Sequence, residues 1–324
     1  MNSAGVTGGV VRVAAVDCGT NSIRLLVADA DPDRHTLTDL DRRMEIVRLG
    51  EGVDATGRLA PEALARTLRA LAGYAAIIRE SGAAAVRMVA TSATRDAANA
   101  ADFVCGVREV LGTGPEVLTG EEEAQLSFTG ATAELAGGPP APYLVADIGG
   151  GSTEFVLGDA AAVTAACSVD IGCVRMTERH LRGDPPTTAQ AEAAAADIDA
   201  ALEVVAGKVP VDQARTLVGL AGSVTTVAAL AMGLPRYDAE RIHHARVSAA
   251  AVHEQATRLL AMTHTRRAAL PVMHPGRVDV IAGGAMVLDR IMTRFGCGDV
   301  LVSEHDILDG IAWSLAGRAA GGRC

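Results

Sequence analysis

The sequence predicts an α/β protein of two similar domains that face each other across a cleft. Three observations predict it. Strand-like apolar runs alternate with helical periodicity along the chain. One segment recurs: Asp17-Cys-Gly19-Thr-Asn-Ser22-Ile-Arg-Leu25 lies over Asp147-Ile-Gly149-Gly-Gly-Ser152-Thr-Glu-Phe155, 130 residues further on. A proline-rich connector at 137–142, GGPPAP, separates the two copies.

Residues 11–29 hold two apolar runs, VRVAAV and IRLLVA, around DCGTNS, which reads as strand, tight polar turn, strand. Pro61 then stands at a first helical position. Leu64, Leu68, Leu71, Ala75 and Ile78 follow at helical spacing, and Gly82 ends the run. Residues 86–90 are a short buried strand. Residues 95–111 carry Phe103, Val107, Val110 and Leu111 on one face and are predicted as one helix. Residues 116–119 read as a strand, and Gly120 opens a helix whose first turn is Glu121, Glu122 and Glu123. Carboxylates there complement the positive end of the helix dipole, a role that suits Glu121 best. Beyond the connector, YLVADIGGGSTEFVLG again reads strand, glycine turn, strand. Helices are predicted at 187–206, with Thr187 or Thr188 as cap, and at 223–232, 248–261, 278–294 and 306–318. Strands are predicted at Thr216–Leu220 and Asp299–Val302.

Composition narrows the function. The 324 residues carry a formal net charge of −10, and Lys208 is the only lysine. Such a chain is not built to coat nucleic acid or an anionic membrane, although an arginine-lined cleft is allowed. Aromatic residues are 2%, too few for a base-stacking surface. The six cysteines (18, 105, 167, 173, 297 and 324) form no CxxC pair and read as free thiols of a reducing compartment. No basic segment with a long apolar core opens the chain, so a cytoplasmic location is expected. Residues 217–234 lack charge, but Gly222, Ser223, Thr225 and Thr226 break the run, so strand, turn and helix are predicted rather than a membrane span.

The repeated loops have a chemical reading. Gly19 and Gly149, Gly150 and Gly151 let backbone N–H groups converge on an anion, while Thr20, Asn21, Ser22, Ser152 and Thr153 add short donors. Asp17 and Asp147, closing their strands, are candidate ligands for Mg2+, or for Mn2+ in its place. Each aspartate could instead cap its own turn. Two such loops facing each other would clamp a polyphosphate without lysine. Glu154, just after the second loop, is a candidate for holding metal or water, with a solvent-facing strand position as the alternative.

These residues also carry a resemblance. AAVDCGTNSIRLLVAD, ATSATRDAANA, LTGEEEAQLSFTGA, LVADIGGGSTEFVLG, SVDIGCVRMTERHL, LVGLAGSVTTVAAL, VIAGGAMVLDRIM and LVSEHDILDGIAW resemble, in order, segments of the exopolyphosphatase and guanosine pentaphosphate phosphohydrolase family. That family lies within the actin, hexokinase and heat-shock-ATPase superfamily. The resemblance implies two ribonuclease-H-like (actin-like ATPase) domains of the short form. The first spans 1–135 with the returning helix at 304–324, and the second spans 136–303.

The resemblance implies an exopolyphosphatase that releases orthophosphate from inorganic polyphosphate. The same family offers guanosine pentaphosphate hydrolysis as an alternative, with guanosine penta- or tetraphosphate as a further ligand and a homodimer as a possible assembly. It places the general base in the glutamate cluster, at Glu123 first and Glu122 second. Arg95 resembles a family arginine near the phosphates, against a salt bridge with Asp96 or Glu109. Arg24 is expected to face solvent. Cys18, inside the first loop, is either an ordinary small residue or a thiol of lowered pKa. His243 and His244 lack the spacing of a helical zinc site and read as loop residues. Gly222-Ser223 and Gly283-Gly284 fall where the superfamily keeps its nucleotide-base loops. A kinase of the superfamily and a non-catalytic nucleotide or polyphosphate sensor are the readings from other classes.

Overall fold

Two β-sheets repeat one topology in this computed structural model, which describes residues 9–135 and 137–321. In the first sheet β1 (Val11–Cys18), β2 (Ser22–Asp31) and β3 (Thr36–Ile46) form an antiparallel meander. Strand β4 (Ala85–Ala90) lies parallel to β1, and β5 (Glu116–Val117) parallel to β4. The order is β3-β2-β1-β4-β5. In the second sheet β6 (Tyr143–Ile148), β7 (Thr153–Gly158) and β8 (Val163–Val169) make the meander, β9 (Thr216–Leu220) lies parallel to β6, and β11 (Asp299–Val302) parallel to β9. Strand β10 (Arg246–Ser248) adds an antiparallel edge on β11. This is the ribonuclease-H-like arrangement, present twice.

The duplication reaches individual residues. Asp17 stands opposite Arg24 across β1 and β2, and Asp147 stands opposite Glu154 across β6 and β7. Residues directly opposite in a ladder share a face of the sheet, so each loop is flanked by a matched pair of polar side chains.

Two helices tie the sheets together. The glutamate helix (Gly120–Thr132) packs Ala124, Phe128 and Ala131 with Tyr143, Val145, Val156 and Val218 of the second sheet. The closing helix (Ile307–Gly321) packs Ile307, Leu308, Ile311 and Ala312 with Val13, Ala15, Leu26 and Ala28 of the first. They cross at glycine. A Cβ on Gly130 would fall 1.9 Å from the Asp306 carbonyl oxygen, and one on Gly310 would fall 2.0 Å from that of Leu126. No other residue permits that approach.

Several sequence expectations need correction. The helix predicted over 95–111 is two, Ser92–Asp96 and Ala100–Leu111. Asn99 breaks it: its side chain accepts from Leu59 N–H (2.8 Å) and donates to the Leu59 carbonyl (3.2 Å), drawing the chain aside. The strand over 116–119 stops at Val117 because Thr119 caps the next helix. Strands β3 and β8 and the helix Cys173–His180 are additions to the elements the sequence predicts. Strand β3 is exposed along most of its length and lacks an apolar alternation. The helix Pro61–Ser81 starts on its proline and ends at Gly82 with φ 68°, as read from the sequence. Residues 217–234 fold as β9 and the helix Ala221–Ala231, and among the described residues no helix is long and apolar enough to cross a membrane.

Candidate active site

Strands β1 and β6 end side by side at one cleft, and their loops line it with Gly19, Thr20, Asn21, Ser22, Gly149, Gly150 and Ser152. The first loop closes on itself through Gly19 N–H to the Ser22 carbonyl (2.9 Å). The second is held from behind. The Gly149 and Gly150 carbonyls accept from Cys173 and Val174 N–H, 2.9 Å each, at the start of the helix Cys173–His180. Those orphan helix donors thereby turn the loop carbonyls away from the cleft. Gly172 permits this, since a Cβ there would meet the Gly150 carbonyl at 2.2 Å.

The predicted carboxylates converge. Asp17, Glu123 and Asp147 line the cleft, and Glu154 is fully buried beside them. Asp147 accepts from Ser127 Oγ at 2.6 Å, and Glu154 Oε1 accepts from Ser168 Oγ at 2.7 Å. Asp17 Oδ1 and Glu154 Oε2 are buried and have no hydrogen-bond partner in the protein. Burial and then the Asp306 charge push Asp147 up to about 6; burial and then Asp147 push Glu154 up to about 7. Burial, followed by Glu154, holds Glu123 well above the carboxylate range, with Arg95 opposing. Crowded buried carboxylates with free oxygen lone pairs have the chemistry of a hard divalent cation site. The donor set fits Mg2+ on that observation.

The three glutamates divide. Glu122 is exposed and completes a capping box: its carboxylate accepts from Thr119 N–H (2.9 Å) while Thr119 Oγ1 accepts from Glu122 N–H (3.2 Å). Capping therefore falls to Glu122 rather than Glu121. Glu123 points the other way, into the cleft, and pairs with Arg95.

Other residues depart from expectation. Arg24 does not face solvent. It lines the cleft, donates to Asp17 Oδ2 from Nε (3.0 Å) and Nη2 (2.6 Å), and pairs with Asp306. Asp306, buried beside it, is a site residue that the sequence pattern does not mark. Cys18 is 1% exposed, and burial followed by the Asp17 charge raises its thiol well above the ordinary range, so it is no activated nucleophile. Thr153 is fully buried with its hydroxyl on the Ile171 carbonyl (3.0 Å), and Gly151 packs on Thr20 and Ser92. Arg95 spends one donor on the Leu118 carbonyl and one on Glu123 rather than on Asp96 or Glu109. Gly222 and Ser223 line the cleft, whereas Gly283 and Gly284 pack against Thr177, Cys173 and Ser223.

The cleft floor holds about 100 Å³ and opens past Arg24, Met44 and Arg277 into a chamber of about 460 Å³. Arg42, Arg43, His274, Tyr237, Pro271, Val272 and Met273 line that chamber. On the opposite flank Arg175 joins the two halves. It donates to the Gly151 carbonyl (2.7 Å), to Asp54 (2.6 Å) and to Asp96 (2.5 Å).

Comparison with known proteins decides the family. The profile of the Ppx/GppA phosphatase family matches residues 26–319. The chain belongs to the Ppx/GppA phosphatase family. Family membership makes it a phosphoanhydride hydrolase. Among Ppx/GppA relatives, Exopolyphosphatase 2 of Mycobacterium tuberculosis is 53% identical over 319 residues, covering 95% of this chain and 99% of the relative. A crystal structure of an exopolyphosphatase-like protein superposes with a TM-score of 0.92 at 42% identity, covering 96% of this chain and 99% of the other. The Aquifex aeolicus PPX-GPPA enzyme gives a TM-score of 0.79 at 30% identity, covering 94% and 99%.

Proposed function

We propose that the chain is an exopolyphosphatase: it hydrolyses the terminal phosphoanhydride bond of inorganic polyphosphate and releases orthophosphate. The observation that carries this reading is the narrow floor between the two loops, continuous with an arginine-lined chamber. A floor of about 100 Å³ has room for one terminal phosphate, and the chamber beyond suits the rest of a polyanionic chain. The 53% identity to Exopolyphosphatase 2 supports the same substrate.

The loop donors hold the terminal phosphate, and Glu123 accepts the proton of a water placed in line with the scissile bond. As the water oxygen bonds to the terminal phosphorus, the bridging P–O bond breaks and the shortened chain leaves with its negative charge. Burial serves Glu123 by raising its affinity for that proton. Asp17, Asp147 and Glu154 would hold Mg2+, which when bound neutralises phosphate charge. Ser127 and Ser168 orient Asp147 and Glu154. Arg24 and Arg277 stand where the floor meets the chamber and face the following phosphates.

A second reading has one observation in its favour. The chamber's Tyr237, Pro271, Val272 and Met273 offer an apolar wall that a polyphosphate alone does not need. It fits the nucleoside of guanosine pentaphosphate. Phosphate release from short and long polyphosphate, guanosine pentaphosphate and ATP, with magnesium and with excess chelator, separates these readings. Magnesium-dependent release from polyphosphate is expected. Release from ATP alone would point instead to a kinase-like enzyme.

A further inference from the structure

Outside the cleft, the fold gathers a second set of donor side chains that the sequence keeps far apart. Glu134 follows the glutamate helix, where the chain leaves toward β6. His305 lies between β11 and the closing helix, where the chain returns. His243 lies between the helix Ala239–Ile242 and β10. Glu134 Oε2 is 3.4 Å from His243 Nε2 and 3.5 Å from His305 Nδ1, and the three donor atoms all lie within 4.8 Å of one another. Around a tetrahedral zinc, ligand atoms at roughly 2.0–2.2 Å stand about 3.3–3.6 Å apart. Two of the three separations already have that value, and the third is no more than 4.8 Å.

We propose that Glu134, His243 and His305 form a binding site for a borderline transition-metal dication, with Zn2+ as its natural occupant, where the chain passes between the two sheets. The donor chemistry selects the ion: two imidazoles and one carboxylate suit Zn2+ or Co2+, whereas Mg2+ prefers an all-oxygen shell. The surroundings prepare the rings. His244 adopts φ 61°, in the left-handed region, and is held there by its N–H on the Val302 carbonyl (2.7 Å). Its ring stacks on that of His243 at 3.7 Å, and the His305 ring lies 4.5 Å from that of His243, tilted by 43°.

One contact sets a cost. His243 Nδ1 accepts from Glu304 N–H at 3.1 Å, which leaves the neutral ring's proton on Nε2, facing Glu134. A cation at Nε2 displaces that proton to Nδ1, and the Glu304 N–H loses its acceptor. Occupancy therefore disturbs the backbone at Glu304, two residues from the Asp306 that pairs with Arg24 in the cleft. The site would couple zinc to the return crossing rather than replace the magnesium-type carboxylates.

Zinc binding to the tag-free full chain in a large excess of Mg2+ tests this, read by calorimetry and by the visible absorption of Co2+ in its place. The expected result is one ion per chain, bound roughly tenfold or more weakly by Glu134→Gln and by His305→Ala. The binding should persist in Asp147→Asn, which alters only the cleft carboxylates. Glu134 is exposed and Gln matches its shape, so that variant keeps the fold even if a histidine variant does not. No ion retained against Mg2+ would overturn the proposal. So would zinc binding lost in Asp147→Asn but unchanged in Glu134→Gln.

Discussion

Arg95 Nη1 lies 3.0 Å from Glu123 Oε2 and 2.9 Å from the Leu118 carbonyl oxygen. The guanidinium is thus pinned by the backbone just before the glutamate helix and presents its charge to the proposed base. Arg95 opposes the rise that burial imposes on Glu123. Removing it should raise the Glu123 pKa further. The expected outcome for Arg95→Ala is a lower kcat, with the acid limb of the pH–rate profile moved to higher pH. A limb that stays in place would show that Arg95 does not set the state of the base.

Arg175 links the halves through Asp54, Asp96 and the Gly151 carbonyl, with its side chain only 12% exposed. Hydrogen bonds to charged groups are each worth about 1.5–3 kcal/mol. If the halves close on the bound chain, Arg175→Ala should therefore loosen that closure and raise KM for polyphosphate on the order of tenfold, with a larger radius of gyration at saturating ligand. An unchanged radius and KM would assign Arg175 no part in closure.

The same contact has a pH dependence. The Arg179 hydrogen bond, opposed by partial burial and reinforced by Arg175, holds Asp54 below its ordinary 3.8. A depressed carboxyl pKa contributes stability that is fully present above the unfolded value and lost as pH falls through the folded one. Scattering at pH 6 and below pH 4 should show the wild type opening on acidification. Asp54→Asn should already be open at pH 6 and change less.

Gly130 and Gly310 let the glutamate and closing helices touch, and the atom nearest a Gly130 side chain would be backbone. Gly130→Ala should cost roughly 1–3 kcal/mol or more, because neither helix can move aside cheaply. It should also disturb Asp306 and hence Arg24, so activity should fall beyond what the thermal midpoint alone accounts for. A variant as stable and active as wild type would mean that the helices are not locked together.

Much of this site was legible in the sequence for a physical reason. The loops are local, so their glycines, hydroxyls and flanking aspartates stand next to one another along the chain, and the repeat marks them twice. What was hidden depends on register and on long-range crossing. Arg24 was misplaced because strand alternation gives its face but not that Asp17 stands opposite it. Asp306 reaches the cleft only through the return of the chain from β11. The sequence assigns capping to Glu121, whereas the capping box falls on Glu122, a difference set by side-chain direction that adjacency along the chain does not reveal; Thr119→Ala should accordingly cost about 1 kcal/mol while turnover is retained.

The account rests on Glu123 as the acceptor of the water proton, and one paired measurement addresses it most directly. Phosphate release from polyphosphate and polyphosphate affinity are determined for wild type and Glu123→Gln under the same magnesium concentration. Glutamine has nearly the same shape and removes a negative charge from a cleft that binds a polyanion. Affinity should hold or rise while kcat falls roughly 10²–10⁴-fold. Normal turnover by Glu123→Gln would contradict the account and move the search for the base to Glu154.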